Sequence, residues 1–189
     1  MNQNVSTDKV TKSTALELTQ MALMIAIVCV ATMSIRIPTL IGYFHLGDSM
    51  LLLAAILFGK KKGFIIAAVG MSLADFLGGY AYYVPFTFII KGVMAMIAAS
   101  IAYRCDYKGK NFFNNLFAFI VSGVWMVLGY FVAKLILVRF VLFKADTFSK
   151  ALAIALAGIP KNIAQVTVGI VLALPLVIIL HGRLSIGSK

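Results

Sequence analysis

The sequence predicts an all-α integral membrane protein, a bundle of six transmembrane helices with both termini cytoplasmic. Three observations carry that prediction. Hydrophobic residues fill 62% of the 189 positions and charged residues only 12%, where a soluble domain carries about 25% charged. The mean hydropathy is +1.01. The apolar residues also gather into runs approaching the ~20 residues that a spanning helix needs, with short lysine-rich turns between them. A net charge of +11 would suit a nucleic-acid binder. No extended basic domain stands behind it, however, and lysines set between apolar runs follow the positive-inside bias.

The expected organisation is a cytoplasmic tail over 1–13, a membrane domain over 14–182 and a second cytoplasmic tail over 183–189. The polar start is not expected to be a cleavable signal peptide, because the apolar run after it is too long and has no small-residue cleavage motif. The first span runs from Leu16 to Ile35, with Thr14 and Glu17 set as a capping box. The second, Thr39 to Phe58, is long enough only if it includes Gly42 to Asp48. Either a broken segment dips into the bilayer there, or His45 and Asp48 sit on its rim. The third is Phe64 to Leu77, a short one, reached through the basic turn Gly59 to Gly63. The fourth is Pro85 to Tyr103, with proline suited to its first position. The fifth is Phe112 to Ala133 and the sixth Ile159 to Leu180. Arg139, Lys144, Asp146 and Lys150 argue against a further span between 135 and 158. A helix leaving the membrane and an apolar return over Ala151 to Ala157 are expected instead.

Six spans place both termini on one side. That side holds ten basic residues, including Lys60, Lys61 and Lys62, against six on the other, which favours cytoplasmic termini.

Against this background the polar residues stand out. Asp48, Asp75, Lys91, Asn162 and Gln165 all map to the same end of their segments. A charge at the centre of a membrane helix costs roughly 2.5–3.5 kcal/mol on insertion scales, so such groups face a bundle interior or a wet cavity. His45 lies at the same level. Ser72 and Asp75 share one helical face, as do Thr87 and Lys91. A pocket open toward the outer face is the reading that unites them. The plainer reading is that Asp75 pairs with Lys91, and the amides act as interhelical glue. Tyr80 and Tyr83 follow two glycines in the loop above this level, where aromatic rings on a mobile loop would stack on a flat ligand. Tyrosines there also fit the interfacial aromatic belt. Trp125 is a packing residue or a pocket wall. Ala22 and Ala26 form a small-xxx-small pair on the first span.

No phosphate-binding loop, zinc motif or nucleophile elbow occurs in the chain. No cofactor, metal or ATP hydrolysis is expected, and Cys29 and Cys105 have no disulfide or metal spacing.

The stretches His45-Leu-Gly-Asp48, Leu57-Phe-Gly59, Leu73-Ala-Asp-Phe-Leu-Gly-Gly79 and Phe86-Thr-Phe-Ile-Ile-Lys-Gly92 resemble the substrate-binding S components of energy-coupling factor (ECF) vitamin transporters. The likeness is to the branch that includes carriers of pyridoxine-type and hydroxymethylpyrimidine-type ligands. Residues 15–105 carry it, and Ile159 to Gln165 matches more loosely. The resemblance implies a six-helix bundle with an outward-facing vitamin pocket capped by loops. Its substrate-binding residues would be His45, Asp48, Asp75, Tyr80, Tyr83, Thr87, Lys91, Trp125, Asn162 and Gln165. It further implies a separate transmembrane T component, docked through Ala22 and Ala26 and coupled to two cytoplasmic ATPases, and a whole-body toppling that releases the ligand. Riboflavin and pantothenate stay open as ligands. A small intramembrane enzyme using Asp75 and Lys91, or a ligand-free scaffold, stay open as other classes.

Overall fold

Residues 3–38 and 43–181 are described by the structure, a computed structural model. The main elements are helices: α1 (Gln3–Ser34), α2 (Gly47–Leu77), α3 (Val84–Ala102), α4 (Phe112–Ile136), α5 (Phe148–Leu156) and α6 (Ile159–His181). A short antiparallel pair, β1 (Arg36–Pro38) and β2 (Tyr43–His45), joins α1 to α2 and sets Arg36 opposite His45. Among the described residues four stretches are long and apolar enough to cross a membrane: Thr14–Ser34, Ala81–Ala102, Phe112–Val141 and Phe148–Leu180.

The structure differs from the sequence reading at three places. Helix α1 begins at Gln3, so Thr14 lies inside it and not at its start, while Glu17 forms an ion pair with Lys62. The second segment is not helical over all of its described length. Residues 39–42 of that segment lie outside the described residues, Tyr43–His45 is strand, and the helix begins at Gly47 with Asp48 in its first turn. An acidic residue there complements the positive end of the helix dipole. Finally, the three lysines expected in a turn are themselves helical. The break falls on Gly59, with φ 73° and ψ −170°, a conformation that costs an L-residue with a Cβ but not glycine. A Cβ on Gly63 would come within 3.1 Å of the Ala55 Cα, so the two arms of α2 fold back against each other.

Other boundaries have local causes. Pro85 opens the first turn of α3, where its missing N–H is no loss. The Asn111 side chain accepts a hydrogen bond from the Asn114 amide at 2.9 Å and caps α4. Helix α4 runs on through a π turn at Leu137–Val141, after which Thr147 caps α5.

The first arm of α2 is the centre of the bundle. Leu51, Leu52, Ala54, Ala55 and Ile56 have no exposed surface. Helix α2 packs on α1, α3 and α6, and α4 packs on α3 and α6. Small residues permit the closest approaches: a Cβ on Gly169 of α6 would stand 2.9 Å from the Asp48 Cβ. In lipid, where chain tails are as apolar as leucine, such packing and interhelical hydrogen bonds hold helices together. The outside is apolar. Phe113, Phe117, Ile120, Val124 and Leu128 recur at helical spacing along one face of α4, all exposed.

Replacing Gly59 with alanine should lower stability by roughly 1–2 kcal/mol, the cost of a left-handed conformation for a residue with a Cβ, since no neighbouring atom obstructs the added methyl. Thermal unfolding in detergent checks this. An unchanged midpoint would show that the reversal does not depend on Gly59.

Candidate functional site

The deepest polar group is an ion pair. Asp48, in the first turn of α2, and Lys91, in the second turn of α3, meet with neither side chain exposed at all. Gln165 of α6 donates its Nε2 hydrogen to the second Asp48 oxygen at 2.9 Å, so three helices converge on one carboxylate. The Tyr130 ring lies over the Lys91 ammonium, 5.3 Å from Nζ to the ring centroid, within cation–π range.

A second carboxylate lies one turn nearer the bundle end. Asp75 accepts a hydrogen bond from the Tyr43 hydroxyl at 2.7 Å and from Thr87 Oγ1 at 2.5 Å. The single Thr87 proton is thereby used, so the Tyr130 hydroxyl, 3.0 Å away, donates to Thr87. The pairing of Asp75 with Lys91 that the sequence allowed does not form. Thr87 and Lys91 share one face of α3 four residues apart, and the helical rise carries Lys91 past Asp75 to the level of Asp48.

Above these groups opens a cavity. Tyr43, Tyr83, Tyr130 and His45 supply its aromatic walls, and Asp75, Asn162, Gln165, Lys134 and Lys161 its polar ones. These residues come from the end of the bundle where α1, the second arm of α2 and α4 finish and where α2, α3 and α6 begin. His45 Nδ1 accepts the Gly47 amide hydrogen at 3.2 Å, which leaves its proton on Nε2 as a donor. The Oε1 atom of Gln165 is buried with no hydrogen-bond partner among the described residues.

Of the residues expected at a binding site, His45, Asp75, Tyr83, Asn162 and Gln165 line this cavity. Thr87 stands behind it, bonded to Asp75, while Asp48 and Lys91 form its sealed support. Tyr80 packs its ring on Tyr43 at 4.8 Å between centroids and lies beside the cavity rather than in its wall. Trp125 turns away: it is 37% exposed, and its indole N–H donates to the Ile90 carbonyl at 3.1 Å. Ala22 and Ala26 are exposed on α1, away from the cavity.

Tyr43, Tyr130, Lys134 and Lys161 were not among the expected residues. The two lysines fall among the six basic residues that the sequence places on the side opposite the termini. A helical signal was available, since Tyr130 and Lys134 are four apart on one face, as are Lys161 and Gln165.

Two comparisons bear on this geometry. A sequence model described as "ECF-type riboflavin transporter, S component" matches residues 12–181. A protein of Pyrococcus woesei, described as an uncharacterized protein in a gap 3′ region, is 39% identical over 106 residues, which are 54% of this chain and 68% of that protein.

The ion pair makes a sharp prediction. Lys91→Met alone should destabilise the bundle by about 3–5 kcal/mol, because it leaves a buried carboxylate without its counter-charge. Asp48→Asn combined with Lys91→Met should recover most of that loss. Thermal unfolding of the three variants decides it, and additive losses would mean that the two residues act independently.

Proposed function

The chain belongs to the S-component family of ECF-type riboflavin transporters, and from this we propose that it captures a small heteroaromatic vitamin or vitamin precursor in the cavity beneath Tyr83. S components are the substrate-binding subunits of transporters and not enzymes, and they work with a T component and ATPases. The carrying observation is the cavity itself. Aromatic faces, one free imidazole donor, an orphaned amide acceptor and a twice-bonded carboxylate converge in it, as a ring bearing hydroxyl or amino groups requires. Asp75, held by Tyr43 and Thr87, is the fixed acceptor. The aromatic turn from Tyr80 to Tyr83 serves as the lid.

The bundle is read as six spans, with the two arms of α2 counted separately, both termini cytoplasmic and the cavity facing outward. Its ligand is ranked first in the vitamin B6 or hydroxymethylpyrimidine class. Riboflavin is the second reading, favoured by the family description.

The test is calorimetry on the purified chain with pyridoxine, hydroxymethylpyrimidine and riboflavin, without nucleotide. One of the three should bind, and Asp75→Asn should weaken it about tenfold or more. If none binds, or if Asp75→Asn changes nothing, the site is wrong.

Energy is expected to come from outside the chain. The purified protein in vesicles should equilibrate its ligand at most, and ATP should drive accumulation only with the T component and two ATPases present. Ala22→Trp together with Ala26→Trp should leave binding intact and abolish ATP-driven uptake, because bulky side chains hold a partner helix away. Accumulation above equilibrium by the chain alone would contradict this scheme.

A further inference from the structure

Among the described residues, Lys134 stands outside the hydrogen-bond network of the cavity. Its side chain is 93% buried, by a relative exposure of 7%, and it lines the cavity. Among the described residues its ammonium has no acceptor, neither an ion-pair partner nor a hydrogen bond. Lys161, on the same cavity, has only the Tyr43 carbonyl, at 3.1 Å. The nearest carboxylates are committed elsewhere: Asp48 to Lys91 and Gln165, and Asp75 to Tyr43 and Thr87. Since Asp48 and Lys91 cancel, the cavity wall carries two ammoniums against one carboxylate.

A mostly buried ammonium without a counter-charge is costly in a membrane bundle, which makes it a mark of a ligand path. The Lys134 stem is covered and its Nζ packs beside the backbone of Gly158, where glycine leaves room for it.

Resting on the carrier reading above, we infer that the ligand bears an oxyanion, a carboxylate or a phosphate, which seats on Lys134 and Lys161 while its remaining atoms meet the aromatic walls. Lys134 takes the charge and Lys161 shares it. The orphaned Gln165 Oε1 accepts a hydrogen from the uncharged part of the same molecule.

The experiment compares one parent with its acidic derivatives: pyridoxine, its 4-carboxylate and its 5′-phosphate, with riboflavin and its 5′-phosphate as a second scaffold and pantothenate as a carboxylate without a ring. Binding to the purified chain in detergent is measured by calorimetry. At least one oxyanion is expected to bind about tenfold or more tighter than its neutral parent, and pantothenate, which lacks the ring, to bind more weakly than that oxyanion. The carboxylate and phosphate arms identify which anion is read. Lys134→Met should erase the preference, and Lys134→Arg should retain most of it. Lys134→Met should also raise the melting temperature of the empty protein, because it removes an uncompensated charge. That readout keeps the test meaningful whichever ligand is found. A neutral parent binding as tightly as its acids would overturn the oxyanion site and leave the carrier intact. Failure of every compound to bind, with hydroxymethylpyrimidine and its phosphate added to the panel, would overturn both. A lowered melting temperature with an unaltered preference would make Lys134 a structural residue and end the proposal.

Discussion

The arrangement depends on one buried carboxylate. Asp48 receives Lys91 from α3 and Gln165 from α6 while sitting in the first turn of α2, so the relative rotation of three helices is fixed at one point. Apolar packing in lipid discriminates poorly between rotations, since one leucine face is nearly as good as another. A charge that must find its counter-charge does discriminate, because every rotation that separates the two leaves both unpaired in a medium of low dielectric. Gly169 completes the device by letting α6 approach the Asp48 side chain.

From that fixed point the site above acquires its shape. With Lys91 drawn down to Asp48, Thr87 one turn away meets Asp75, and the Tyr130 ring covers the ammonium while its hydroxyl reaches Thr87. One aromatic side chain therefore touches both polar layers. The β1–β2 pair contributes in the same way. It sets Tyr43 against Asp75, and its Arg36 reaches back to the Ala74 carbonyl at 2.8 Å, tying the end of α1 to the end of α2.

Much of this was legible in the sequence, for a physical reason: a polar residue in an apolar run is expensive, so its presence marks a site. The common level of His45, Asp75, Asn162 and Gln165 followed from counting turns. Which groups pair did not follow, because Lys91 had two carboxylates within plausible reach, and helix offset alone decides between them. Tyr130 and Lys134 escaped for another reason. A tyrosine or lysine near a helix end has an inexpensive alternative at the membrane interface, so its composition carries little information until the neighbouring helices are in place. The reversal at Gly59 was hidden too. Glycine beside three lysines reads as a loop, whereas a single left-handed residue suffices.

The closed floor beneath the cavity has a consequence for access to it. Below the tyrosines lie an ion pair with no exposed surface and then the packed first arm of α2, from Leu51 to Ile56. Beneath the tyrosines the polar lining ends at that pair, so the cavity is closed toward the middle of the bundle. The described residues there form a cup whose mouth lies at one end of the bundle.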